Sequence, residues 1–213
     1  MGRFIMKRFL LVILTCIFLI LLPGACSSQP RVNRLDATTQ VDLTGRWNDT
    51  DVRMVSESLI NDVLSSPRVT QFILDYAFRN EGRLPAVLVG NFRNESSERI
   101  DTSIISINME SAIVNSGRLD FVAGGGTRQE IRAVRQDQLI HASEDTAAAL
   151  GYETGAALLL TGSVNSIVER SGNTTVRSYF VNAELTDIET NTRIWMGRND
   201  EIKKIIRLRN VRL

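Results

Sequence analysis

The stretch "AVLVGNFRNESSERIDTSIISINMESAIVNSGRLDFV", Ala86 to Val122, decides the fold. It opens on Ala86 to Gly90, a short apolar and β-branched run of the kind that makes a buried strand. Asn91 to Arg99 is polar and reads as a loop. Thr102 to Ser116 follows helical spacing, with Ile105, Met109, Ala112 and Ile113 along one side. Leu119 to Val122 is apolar again and predicts a second strand. A strand, a helix and a strand in so short a span predict a βαβ unit, with a parallel pair and a right-handed crossover.

Upstream, Val52, Val55, Leu59 and Val63 recur on one helical face from Asp49 onward, with Thr50 or Asp49 available as a cap and Pro67 as a stop. Val69 to Phe78 predicts a second helix. Downstream, Ala156 to Val168 is apolar and strand-like, and Ser171-Gly172-Asn173 turns the chain. Thr174 to Ile188 alternates, with Tyr179, Val181, Ala183 and Leu185 on one face, and Arg193 to Ile206 predicts a third strand after a turn at Glu189 to Asn191. Three strands joined by tight turns form an antiparallel meander. The predicted architecture is therefore α/β: a single mixed β-sheet, built of the βαβ unit and the C-terminal meander, with flanking helices.

Gly124-Gly125-Gly126 sits between a strand and a helix, the place of a phosphate-binding loop. It lacks the Gly-Lys-Ser/Thr ending and the G-x-G-x-x-G spacing such a loop requires, so a structural turn is the expected role. Thr127 and Glu130 have the spacing of a capping box for a helix over 127–141. That helix carries Arg128, Arg132 and Arg135 as a basic stripe, which is either a solvated face or a grip for an acidic partner. A short helix is predicted over Ser143 to Leu150.

The N-terminus has a different character. Arg3, Lys7 and Arg8 precede an uncharged run from Phe9 to Leu22 dominated by aliphatic and aromatic side chains, and Gly24-Ala25 then supplies small residues. The run has 14 residues, short of the roughly 20 a membrane-spanning helix needs and suited to an export signal. Cys26 follows directly. Cys16 and Cys26 are the two cysteines of the chain, and cleavage after residue 25 removes the first. Cys26 is then left without an intrachain partner, and acylation gives the thiol a use. The pattern resembles a bacterial lipoprotein signal, with secretion and cleavage nearby as the rival reading. The expected organisation is residues 1–25 signal peptide, 26–46 lipidated Cys26 and flexible tether, and 47–213 folded domain. Ser27 and Ser28 carry no acidic retention signal, which fits an outer-membrane location facing the periplasm.

Charge excludes little but points away from nucleic acid. The formal net charge is +1, and residues 1–25 hold three basic residues and no acidic one, so the remainder is close to neutral. No catalytic, metal-binding or cofactor motif stands out. The chain has one histidine, His141, at a polar helix end, and no G-x-S-x-G elbow surrounds any serine. The C-terminal "EIKKIIRLRNVRL" places Lys203 and Lys204 among aliphatic residues, as a charge-blunted sheet edge or a docking surface for an anionic partner.

Ala86 to Val122 and "GAALLLTGSVNSIVERSGNTTVRSYFVNAELTDIETNTRIWMGRNDEIKK", Gly155 to Lys204, together resemble the penicillin-binding-protein activator family of outer-membrane lipoproteins, the LpoB family. The matching positions include Asn94, Asp101, Gly117, Leu160-Thr161-Gly162, Leu185, Asp187, Thr190, Trp195 and Ile202-Lys203-Lys204. The resemblance implies a domain similar to the N-terminal domain of TolB-like periplasmic proteins, with Asn94, Asp101, Gly162, Asp187 and Trp195 as fold determinants. It implies a non-enzymatic lipoprotein that binds and stimulates a bifunctional peptidoglycan synthase, with no cofactor, nucleic acid or small-molecule substrate. The alternative is a structural lipoprotein subunit of an envelope secretion or transport assembly. Candidate partner-surface residues are Arg128, Arg132, Arg135, Lys203 and Lys204.

Overall fold

The computed structural model describes residues 32–36, 39–141 and 153–208. The signal-like segment, Cys26 and the helix expected over 143–150 lie outside them. Residues 32–36 carry no regular secondary structure. The folded body contains α1 (Asp49–Ser65), α2 (Pro67–Arg79), β1 (Ala86–Asn94), α3 (Ser103–Ser116), β2 (Asp120–Phe121), α4 (Gly125–His141), β3 (Leu158–Ser171), β4 (Thr174–Asp187), β5 (Thr192–Asn199) and β6 (Lys203–Arg207). They make one mixed sheet in the order β2-β1-β3-β4-β5, with β6 on the remaining half of β4. The β1–β2 and β1–β3 pairs are parallel, and every pair made by β4 is antiparallel.

The inward face of the sheet follows the apolar alternation of the strands. Val87 and Val89, Leu158, Leu160 and Val164, and Tyr179, Val181, Ala183 and Leu185 are buried against Val55 and Leu59 of α1 and Ile105, Met109 and Ile113 of α3. Each fully buried aliphatic side chain contributes about 1.5–3 kcal/mol, so this one face dominates the stability of the fold. Polar pins fix the helices on it. Ser106 Oγ of α3 donates to the Gly90 carbonyl at 3.3 Å, Asn108 of α3 donates to Ser56 of α1 at 3.2 Å, and the Arg118 guanidinium donates to the Leu64 carbonyl and to Thr70 Oγ1.

Several local features differ from the sequence expectation, each for a readable reason. The cap of α1 is Asn48, not Thr50 or Asp49: the Asn48 side chain accepts from Asp51 N–H at 3.1 Å, and the Asp51 carboxylate accepts from Asn48 N–H at 2.9 Å. Ser66 serves two helices. It ends α1 in an extended conformation, as a residue before proline prefers, and its hydroxyl accepts from Val69 N–H to start α2. Strand β1 continues to Asn94, beyond the expected stop at Gly90, after a register shift between Val89 and Phe92 that turns Phe92 into the core. The predicted third strand is broken at residues 200–202, so β5 and β6 line successive parts of the same edge of β4.

The glycine run leads into a helix: Gly124 precedes it, and Gly125 and Gly126 are its first residues. A Cβ on Gly124 would stand 2.8 Å from Leu88 Cδ1, and Gly125 has φ +48°, the left-handed region that disfavours other residues. Helix α4 starts at Gly125, two residues earlier than expected. Thr127 therefore lies inside the first turn and cannot be the cap, and the Gly124 carbonyl takes the Arg128 N–H at 3.4 Å.

The body also begins before Trp47. The Asn48 side chain donates to the Val41 carbonyl at 3.2 Å, and Asp42 and the Arg46 carbonyl both meet Lys204. Residues 41–46, expected as tether, are held against β6. The Lys204 hydrogen bond holds the Asp42 carboxyl below its ordinary value of 3.8. A carboxyl depressed on folding adds stability above its unfolded pKa and loses it as pH falls through the folded value. Asp42 is the exposed member of the pair and Lys204 keeps Asp51, so Asp42→Asn should cost under about 1 kcal/mol at neutral pH. The difference from wild type should vanish in acid, below the depressed Asp42 value. Urea melts of both proteins across pH 2 to 7 check this on the scale of carboxylate titration, and a pH-independent difference would refute it.

Candidate interaction surface

The residues singled out by sequence fall into three groups, and the structure does not bring them to one place. Asn94, Asp101, Gly162, Asp187 and Trp195, expected as fold determinants, sit in loops, turns and strands of the body. Asn94 closes the 95–100 loop: its amide donates to the carbonyls of Glu98 at 2.8 Å and Ile100 at 3.3 Å, and its oxygen accepts from Ser96 N–H and Oγ. The Asp101 carboxylate accepts from Ser103 N–H at 3.1 Å and Oγ at 2.6 Å beside the start of α3, and these bonds lower its pKa. Asp187 brackets the β4–β5 turn by accepting from Glu189 N–H and Thr190 Oγ1. The Trp195 indole N–H donates to Asp62 Oδ2 at 3.2 Å and joins β5 to α1. Gly162 lies beneath the Phe92 ring.

The arginine stripe occupies α4, at the β2 side of the sheet. Its described side chains are exposed or half-buried. Arg132 forks Glu153 at 2.7 and 2.9 Å, which raises the Arg132 pKa and lowers that of Glu153. Arg128 donates to the Ala123 carbonyl at 3.0 Å. Arg135, with Arg128 and Glu153, lines a shallow cleft of about 190 Å3. His141, at the end of the helix, is exposed and lies 3.2 Å from Asp137.

Lys203 and Lys204 sit at the other side, on β6. They point to opposite faces, as strand neighbours do. Lys203 is exposed. The Lys204 side chain is only 12% exposed, and its ammonium meets Asp42 and Asp51 at 2.7 Å each and the Arg46 carbonyl at 2.9 Å. It is an internal tie rather than a free surface charge. Because β2 and β6 belong to opposite sides of the strand order, the basic residues expected at one partner surface lie on two.

Sequence reasoning did not single out the network around Glu98. This glutamate from the β1–α3 loop has a side chain 9% exposed. Its Oε1 pairs with the Arg177 guanidinium and accepts from the Tyr179 hydroxyl at 2.9 Å, and its Oε2 accepts from Trp47 N–H at 3.3 Å. The Trp47 ring packs edge-on against Tyr179 with centroids 5.3 Å apart. Burial is the main cause of a raised Tyr179 pKa. The alternation of β4 placed Tyr179 inward, but nothing in "NESSERI" distinguished Glu98 from its neighbours.

Among the described residues, nothing packs over the centre of the opposite face of the sheet. Thr161, Ser163, Asn182, Glu184, Arg193 and Met196 surround a shallow depression of about 190 Å3 there, and Arg193 pairs with Glu184 at 2.9 Å. Among the described residues, no group of His, Cys, Asp and Glu has the arrangement of a metal site.

A family model described as the peptidoglycan-synthase activator LpoB matches residues 51–200, from the first turn of α1 to just past the end of β5. The chain belongs to this family. Among solved structures it is similar to the LpoB C-terminal domain from Salmonella enterica, at 18% identity over 61% of this chain and 92% of that one, with a TM-score of 0.33. The LpoB C-terminal domain from Escherichia coli matches at 18% identity over 58% and 83%, with a TM-score of 0.33. Lipoprotein GNA1162 from Neisseria meningitidis matches at 17% identity over 56% and 83%, with a TM-score of 0.35. No curated protein matches the chain.

Proposed function

We propose that the protein is an outer-membrane lipoprotein whose periplasmic domain binds a bifunctional peptidoglycan synthase and stimulates it, with no catalytic activity of its own. The observation that carries this reading is the family match over residues 51–200, which includes five of the six strands. The apolar run followed by Cys26 supports the anchor, and acyl chains bind a bilayer with about 0.8 kcal/mol per buried methylene. No helix among the described residues is long and apolar enough to cross a membrane.

The anchor has a short reach. Fifteen residues, 26–40, precede Val41, whose carbonyl takes the Asn48 side chain, and a fully extended segment of that length spans about 50 Å. The synthase must therefore extend toward the membrane that carries Cys26. Arg135, whose charge also acts on Glu153, and Lys203 represent the two basic surfaces, and Arg135→Glu and Lys203→Glu would report which side docks.

Purified full chain should raise the rate of glycan polymerisation and of peptide crosslinking by a synthase from the same cell. Cys26→Ala should keep that activity in solution and lose it in cells. Absence of binding and of stimulation across the synthases of the cell would refute the function. A free, unacylated mature N-terminus beyond Cys26 in intact-mass measurement would refute the anchor alone.

A further inference from the structure

A third basic feature, absent from the sequence reading, lies where the 95–100 loop meets the β3–β4 hairpin. An open cleft of about 600 Å3 is lined there by Arg46, Glu98, Arg99, Arg170 and Arg177. The arginines come from three separate segments. Arg46 precedes α1, Arg99 ends the loop, and Arg170 and Arg177 lie on adjacent strands. Arg170 is two residues from Val168, and Val168 is opposite Arg177 in the β3–β4 register, so both side chains leave the same face of the hairpin.

Four guanidinium groups thus surround one space that holds a single carboxylate. That carboxylate is already engaged, since Glu98 pairs with Arg177 and accepts from Tyr179 and from Trp47 N–H. Among the described residues no carboxylate pairs with Arg46, Arg99 or Arg170. The Nε of Arg177 is buried and has no hydrogen-bond partner, a costly condition for a charged group. Protection of a sheet edge accounts for one arginine near a hairpin end. It does not account for three segments sending arginines to a common cleft, where like charges repel.

We propose that this cleft binds a small multivalent oxyanion, a ligand carrying two or more phosphate or carboxylate groups. Guanidinium groups take both in bidentate, charge-assisted pairs. The Glu98–Arg177 pair forms the fixed floor, and Arg46, Arg99 and Arg170 are exposed and supply the adaptable rim. The volume lies within the roughly 300–1,000 Å3 of small-molecule sites. The site does not depend on a synthase partner, and its occupancy is measured without one.

The experiment is a calorimetric titration of the purified full chain in detergent with two probes, inorganic pyrophosphate and tricarballylate. Saturable binding at one site is expected, and the tighter probe identifies the phosphate or the carboxylate as the source of the natural ligand. In Arg99→Ala/Arg170→Ala, whose side chains are exposed, affinity should fall at least about tenfold, the equivalent of one lost charge-assisted hydrogen bond. Arg198→Ala, which removes an exposed arginine on β5 outside the cleft, should leave binding unchanged. Absence of saturable binding of both probes would overturn the proposal. So would equal weakening in the Arg198 variant, or unchanged affinity in a double variant with the circular dichroism of wild type.

Discussion

Glu98→Ala is expected to lower stability by about 3–5 kcal/mol, the cost of leaving a buried charge without its partner, and to lower the melting temperature by about 10 °C in a body of this size. The side chains of Glu98 and Arg177 are 9% and 13% exposed. Removing the carboxylate strands the Arg177 guanidinium, the Tyr179 hydroxyl and the Trp47 N–H together. The order of magnitude follows from that asymmetry: a satisfied buried pair adds little over an apolar pair, whereas a broken one is costly. Adding Arg177→Leu should therefore recover more than half of the loss, because it removes the orphaned charge. Urea denaturation of the two single variants and the double variant completes the cycle. A Glu98→Ala protein within about 1 kcal/mol of wild type, the scale of an exposed pair, would remove Glu98 from the structural core. Pyrophosphate titration of the same double variant is a separate measurement, since Arg177 also lines the anion cleft.

Apolar periodicity made the layout of the fold legible. The β-branched run at Ala86 to Gly90, the spacing of Ile105, Met109 and Ile113, and the alternation from Tyr179 to Leu185 all report which side of an element is buried, and the sheet follows from them. Features made by polar side chains at long range were not legible. Lys204 reads as an exposed edge lysine because its partners, Asp42 and Asp51, lie more than 150 residues earlier. Asn91 to Asn94 reads as a loop because the strand shifts register after Val89, so Phe92 breaks the alternation. Asn48 was missed as a cap because Asp49 and Thr50 have equally suitable side chains, and backbone geometry alone chooses among them. The same limit applies to function. The family-like positions Asn94, Asp101 and Asp187 each bond to backbone within a few residues. Those bonds are local, while Arg99, Arg170 and Lys203, which pair with no carboxylate among the described residues, lie outside the positions expected to hold the fold together.

Gly162→Ala is expected to destabilise the protein by about 2–3 kcal/mol, the upper range of overpacking in a tight core. In a strand interior the ordinary expectation has the opposite sign, since alanine is favoured over glycine by roughly 0.5–1 kcal/mol. Gly162 lies in β3 between Phe92 of β1 and Ala183 of β4. A Cβ there would stand 2.5 Å from the Asn182 carbonyl oxygen and closer still to the Phe92 ring. The backbone angle is not the constraint, because Gly162 is not among the positive-φ glycines. Close approach is. The two obstacles differ in kind: the ring can be shortened, but the carbonyl belongs to the backbone of the neighbouring strand. Phe92→Leu should therefore relieve only part of the penalty when combined with Gly162→Ala, leaving a residual cost of at least about 1 kcal/mol relative to Phe92→Leu alone. Full relief would assign the constraint to the ring, and a stabilised Gly162→Ala protein would show that β3 moves away from β4 at little cost.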